Sequence, residues 1–177
     1  MSTTRQLFGG AITAETAINL IDASDVRQVP DTQEVFMYPD SNVSIILEIL
    51  QRVEPSHFND AIRFHFDSLA HDNSARSATI ESVSVVPNDR GDETPSAIVL
   101  KGVQMVPKFN HTTPDKVEIL MALFRVESKG IDLVLTFNVP FESVDEGLTN
   151  DVTVVKANAD FDTFVRSLRI VDFGVFA

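Results

Sequence analysis

The stretch 117–126 is apolar in both of its alternating sets. Val117, Ile119, Met121 and Leu123 fall on one side of an extended chain, and Leu120, Ala122, Phe124 and Val126 on the other. Successive side chains of a β-strand point to opposite faces, so a strand of this kind needs cover on both sides. Three more runs of period 2, at 78–86, 97–106 and 131–139, neighbour it in sequence, and an antiparallel meander is the simplest arrangement. Ser128-Lys129-Gly130 supplies a short hairpin connection, with Gly where a positive φ is needed, so 117–126 and 131–139 are expected to pair directly.

Three helical patterns offer the cover. Ser44 can cap a helix in which Ile45, Ile46, Ile49, Leu50 and Val53 share a face, leaving Glu48, Gln51 and Arg52 on the other. A second follows Ser56, with Phe58, Ile62, Phe66 and Leu69 at helical spacing, and a third spans 160–168 through Phe161, Phe164, Val165 and Leu168. The expected class is therefore α+β: a three-layer α/β/α sandwich around a mainly antiparallel sheet. Before the first helix lie two short β-leaning segments, 8–12 and 32–38, separated by the turn-rich 21–25 and by Pro30-Asp31. The segments 87–96, 107–115 and 140–155, rich in Pro, Asn and Asp, read as surface connections. No repeat or linker-like shift in composition divides the chain, and 177 residues suffice for one core burying roughly two-thirds of the unfolded surface, so one domain, 1–177, is expected.

Charge narrows the partners. Fourteen Lys and Arg against 26 Asp and Glu give a net charge of −12, which repels nucleic-acid backbones and anionic lipid and leaves basic protein surfaces as the favoured partners. No two basic residues are adjacent, no signal-peptide core opens the chain, and no apolar run approaches the ~20 residues of a membrane-crossing helix. Membrane insertion is not expected. The absence of Cys fits a reducing compartment and removes thiolate chemistry and Cys-ligated zinc.

No motif for covalent chemistry stands out. Gly9-Gly10 cannot make a phosphate cradle alone, no Gly-x-Ser-x-Gly elbow occurs, and His57, His65, His71 and His111 contain no His-Glu-x-x-His pair. His65, Asp67 and His71 would diverge around the second helix, so no metal or other cofactor is expected. Carboxylates are the feature that remains. Asp22, Asp25, Asp31 and Glu34 crowd into the positions 22–34, with Glu48 close behind. They read either as caps and Asx-turns, as a general acid and base requiring one raised pKa, or as an acidic patch for a basic surface. Composition favours the patch over catalysis.

Several blocks resemble the Ran guanine nucleotide release factor family. They are Leu7-Phe8-Gly9-Gly10-Ala11-Ile12, Ile21-Asp22-Ala23-Ser24-Asp25-Val26-Arg27 and Val29-Pro30-Asp31-Thr32-Gln33-Glu34-Val35-Phe36. Leu135-Thr136-Phe137-Asn138 before Pro140 and the terminal Val171-Asp172 with Val175-Phe176 extend the match nearly end to end. The resemblance implies a fold shared with the photosystem II PsbP proteins, binding to the GTPase Ran, promotion of guanine nucleotide release and support of nuclear protein import. It implies no chemistry of the chain's own, a location in nucleus and cytoplasm, and room for a second Ran-binding protein. A non-catalytic acidic adaptor and a carboxylate-dependent small-molecule enzyme are the alternatives. The residues it assigns to Ran binding are Asp22, Asp31 and Glu34, with Glu48 and Gln51 on the first helix; Asp25 and Arg27 neighbour them and join the candidate set. Family members often carry a second carboxylate where this chain has Gln51.

Overall fold

A computed structural model describes residues 1–107, 113–141 and 147–177. The chain runs β1 (Ser2–Leu7), β2 (Ile12–Ala17), β3 (Ile21–Asp22), β4 (Gln33–Met37), β5 (Ser44–Gln51), α1 (Phe58–Asp72), β6 (Ser77–Val86), β7 (Ala97–Val106), β8 (Asp115–Val126), β9 (Ile131–Pro140), α2 (Gly147–Ser167) and β10 (Arg169–Ile170). Seven strands form one antiparallel sheet in the order β3-β4-β5-β9-β8-β7-β6, and β1, β2 and β10 form a small second sheet.

Both faces of β8 are covered, as its composition requires. On one side Ala61, Ile62 and Phe66 of α1 pack on Ile98, Leu100, Ile119, Met121, Leu123 and Val134. On the other, Ala157, Phe161, Phe164 and Val165 of α2, with Leu7, Ile12 and Ala14 of the β1–β2 hairpin, pack on Leu120, Ala122, Phe124, Leu135 and Phe137. Phe137 meets Phe161 and Phe164 edge-on, at centroid distances of 5.4 and 6.2 Å. Each large side chain buried in this way contributes about 1.5–3 kcal/mol.

The meander and its hairpin are as expected: β8 pairs with β9 through a turn ended by Gly130 at φ 63°. Gly102 on β7 answers a second constraint. A Cβ there would stand 2.7 Å from the Thr79 carbonyl oxygen and 2.9 Å from the Phe66 ring, so its absence lets α1 sit down on the sheet.

Four expectations are corrected. The segment 44–53 is not a helix but chiefly strand β5, paired with β4 on one side and β9 on the other. A strand buried on both faces is apolar in both alternating sets, and Ile45, Ile46, Leu47, Ile49 and Leu50 satisfy that pattern as readily as a helical stripe. Three β-branched residues in six positions and pairing on both edges favour the strand. Among the described residues the sandwich thus has two α-helices rather than three. α1 begins after His57, not Ser56, without a side-chain cap. α2 begins at Gly147, so the 147–155 part of the expected connection 140–155 is helix; within the expected connections 107–115 and 140–155, residues 108–112 and 142–146 lie outside the described residues. Phe8–Gly10 is a 3-10 turn between β1 and β2 rather than a strand.

Candidate functional site

The residues singled out in the sequence gather on β3, β4, β5 and the turns between them, at one end of the large sheet. Pro30 and Asp31 begin a tight turn closed by the Gln33 N–H donating to the Pro30 carbonyl at 3.0 Å, which leaves Asp31 exposed at its tip. Asp22 caps the 3-10 turn Ala23–Asp25: its Oδ1 accepts from the Ser24 N–H at 2.9 Å and from the Ser24 hydroxyl at 2.7 Å. Asp25 and Arg27, just beyond that cap, are exposed.

Strand parity then divides the set. Glu48 lies opposite Gln33 and Val134, on the α1 side of the sheet, and accepts from Gln33 Nε2 at 3.0 Å. Glu34 lies opposite Leu47, on the α2 side, where its Oε1 accepts from the Phe8 N–H at 2.7 Å. That bond holds a tense turn: Phe8, Gly9 and Gly10 stand at φ 49°, 68° and 94°, and left-handed backbone at a bulky residue is unfavourable. Burial pushes the Glu34 carboxyl above its ordinary range, the Phe8 bond opposes this, and Asp22 adds repulsion that Arg5 partly offsets. Gln51 ends β5 and is exposed. Asp22 and Glu34 are therefore occupied by the fold itself, whereas Asp25, Asp31 and half-buried Glu48 are the carboxylates left to meet a partner. Glu48 and Gln51 stand on a strand, not on the helix expected from sequence; their separation of three, which a helix would bring to one side, is odd, so on a strand the two face opposite ways.

A second polar cluster, not anticipated, lies buried behind the α1 side. Asp132, with a fully buried side chain, accepts from His65 Nε2 at 2.8 Å, from Arg125 Nε at 2.8 Å and NH2 at 3.0 Å, and from the Val53 N–H at 3.2 Å. Arg125 also donates to the Pro55 carbonyl at 2.7 Å. Burial alone would raise the Asp132 pKa, but the bonds from His65, Arg125 and Val53 draw it down to about 2, while the carboxylate raises that of Arg125. These bonds, with Arg52 paired to Glu127 at 3.1 Å, fasten the 52–57 segment that leaves β5. The signal available in sequence was a pair of opposite charges, Arg125 and Asp132, set in apolar strands and opposed across the hairpin. Of the expected histidines, His65 belongs to this cluster, His57 and His71 are exposed, and His111 lies outside the described residues, among which no group of three or more His, Asp or Glu could hold a metal ion.

An α+β sandwich with an acidic, partly open sheet end is the class that this geometry defines. The sequence model of the family described as "Ran-interacting Mog1 protein" matches residues 5–140, and the chain belongs to that family. It is 34% identical to the zebrafish (Danio rerio) Ran guanine nucleotide release factor over 97% of this chain and 98% of that one, and 35% identical to the human protein of the same name over 96% and 94%. The nuclear import protein mog1 of Schizosaccharomyces pombe is 30% identical over 97% and 99%. The crystal structure of the Saccharomyces cerevisiae Ran-binding protein Mog1p superposes with a TM-score of 0.76 at 25% identity, covering 100% of this chain and 99% of that one.

Proposed function

We propose that this protein binds the GTPase Ran and promotes release of its guanine nucleotide, in support of nuclear protein import, and that it works in nucleus and cytoplasm as one domain spanning 1–177. Its relatives carry the names of a Ran release factor and of a nuclear import protein. The observation that carries the reading is the acidic end of the sheet in a chain of net charge −12: Asp25 and Asp31 exposed on turns, Glu48 half-buried on the strand behind them. Complementary charge steers encounter and a few central side chains supply most of the affinity.

In this reading Asp25, Asp31 and Glu48 pair with Lys or Arg of Ran, Arg27 and Gln51 border the contact, and Asp22 and Glu34 shape the turns that present it. No bond is made or broken. A protein that holds nucleotide-free Ran more tightly than loaded Ran must, by reciprocity, lower the affinity of Ran for nucleotide by the same factor. Pairing with a cation that otherwise supports the phosphates, or a bias on a switch segment, would supply that difference. These are the acts of a regulator rather than of an enzyme.

Calorimetric titration of Ran with wild-type protein and with Glu48→Lys tests it. Charge reversal at Glu48 is expected to weaken binding at least about ten-fold, the equivalent of 1.4 kcal/mol. Equal affinity of the folded variant would remove Glu48 from the contact.

A further inference from the structure

Glu48 is held by a neighbour outside the candidate set. Gln33 opens β4 and lies directly opposite Glu48 in the β4–β5 ladder, where its Nε2 donates to the Glu48 Oε1 at 3.0 Å. A carboxylate only accepts hydrogen bonds, so the amide turns its nitrogen, not its oxygen, toward it. On the other side of β5 the residue opposite Glu48 is Val134, whose side chain has no polar atom. Of the two side chains directly across from Glu48, Gln33 is therefore the one able to fix its orientation. Its setting is firm: Val35, the next residue of β4 on this face, is 4% exposed, and Gln33 and Glu48 are both half-buried.

Gln33 also closes the turn that carries Asp31. Its N–H donates to the Pro30 carbonyl at 3.0 Å, and the adjacent Thr32 carbonyl accepts from the Ile49 N–H at 2.9 Å. The end of the turn is thus pinned to β5 by a backbone bond at Thr32 and by a side-chain bond at Gln33. Two residues of chain span at most about 7 Å, and opposed residues of an antiparallel pair stand about 5 Å apart, which keeps the backbones of Asp31 and Glu48 within roughly 12 Å of each other. One residue therefore joins the exposed carboxylate at the turn tip to the half-buried one on the strand behind it.

We propose that Gln33 is a positioning residue of the Ran contact: its amide orients the Glu48 carboxylate and fixes it in relation to Asp31, so that the two meet Ran as one preorganised pair. The inference rests on the Ran reading above and adds how the acidic sheet end is set for its partner. Ordering one long side chain at the moment of binding costs roughly three- to ten-fold in affinity. The bond from Gln33 orders Glu48 before Ran arrives and so removes that cost. Gln33 acts through Glu48, and its effect on binding depends on the carboxylate being there.

A double-mutant cycle tests this dependence: calorimetric titration of Ran with wild type, Gln33→Ala, Glu48→Ala and the double variant, with melting temperatures to check each fold. Gln33→Ala is expected to weaken binding about three- to ten-fold in the wild-type background, and to change it by less than about two-fold once Glu48 is Ala. A residue that merely supported the fold would weaken both backgrounds alike. Gln33→Glu sharpens the test, because it keeps the shape and adds a negative charge but removes the donor. It is expected to weaken binding at least as much as Gln33→Ala, whereas an effect of net charge alone would tighten it. Full affinity of Gln33→Ala with Glu48→Ala weakened, equal losses in the two backgrounds, or tighter binding by Gln33→Glu would each overturn the positioning role and leave the Ran reading standing. Failure of wild type to bind Ran would overturn both.

Discussion

Replacing Asp132 by Asn tests how much of the fold's stability is held in one buried carboxylate. The substitution keeps the shape and removes the charge, leaving the Arg125 guanidinium, whose side chain is 1% exposed, beside neutral acceptors only. Removing one partner of a buried, hydrogen-bonded ion pair costs about 3–5 kcal/mol. A second route to the magnitude uses the depressed pKa, about 2 against an ordinary 3.8. Nearly two pH units at 1.36 kcal/mol each give about 2.5 kcal/mol of pH-dependent stabilisation. Its sign is fixed: the native carboxylate binds a proton less readily than the unfolded one, so the stabilisation is complete above the unfolded value and is lost as pH falls through about 2. Urea unfolding of wild type and Asp132→Asn, at neutral pH and down the acid limb, measures both quantities. The variant is expected to lose about 3 kcal/mol at neutral pH and to show a shallower acid limb. A loss below about 1 kcal/mol, or parallel acid limbs, would refute the reasoning.

Two further substitutions examine the packing and the tense turn. Gly102→Ala forces a Cβ against the Thr79 carbonyl and the Phe66 ring, and a loss of about 1–3 kcal/mol in the same unfolding assay is expected. Glu34→Ala orphans the Phe8 N–H and is expected to cost about 1–3 kcal/mol, whereas Glu34→Gln keeps the acceptor and stays near wild type. Because the Glu34 pKa is raised in the folded chain, wild type gains stability as pH falls through that range, and a thermal-melting series should find this gain absent in Glu34→Gln.

The central sheet was legible because its strands are long and their period is clean. The two-sided apolar run of β8 demanded a sandwich, and Gly130 marked the hairpin. The segment 44–53 was not legible: an interior strand and an amphipathic helix both place apolar residues at 45, 46, 49 and 50, and only its pairing with β4 and β9, which is non-local, decides between them. The acidic cluster could be seen in one dimension, but its division could not. Gln33 and Glu34 are adjacent in sequence and face opposite sides of the sheet, so one supports Glu48 while the other holds the Phe8 turn. The contact between Asp132 and His65 joins residues 67 positions apart, and nothing local announces it.

The claim on which the account turns is that the acidic sheet end acts on Ran. Release of fluorescently labelled GDP and GTP from Ran, followed by stopped flow with wild type and with Glu48→Lys, measures it most directly. Wild type is expected to accelerate release in proportion to the complex formed, and Glu48→Lys to need at least about ten times the concentration for the same effect. Release unchanged by wild type, or accelerated equally by the variant, would contradict it.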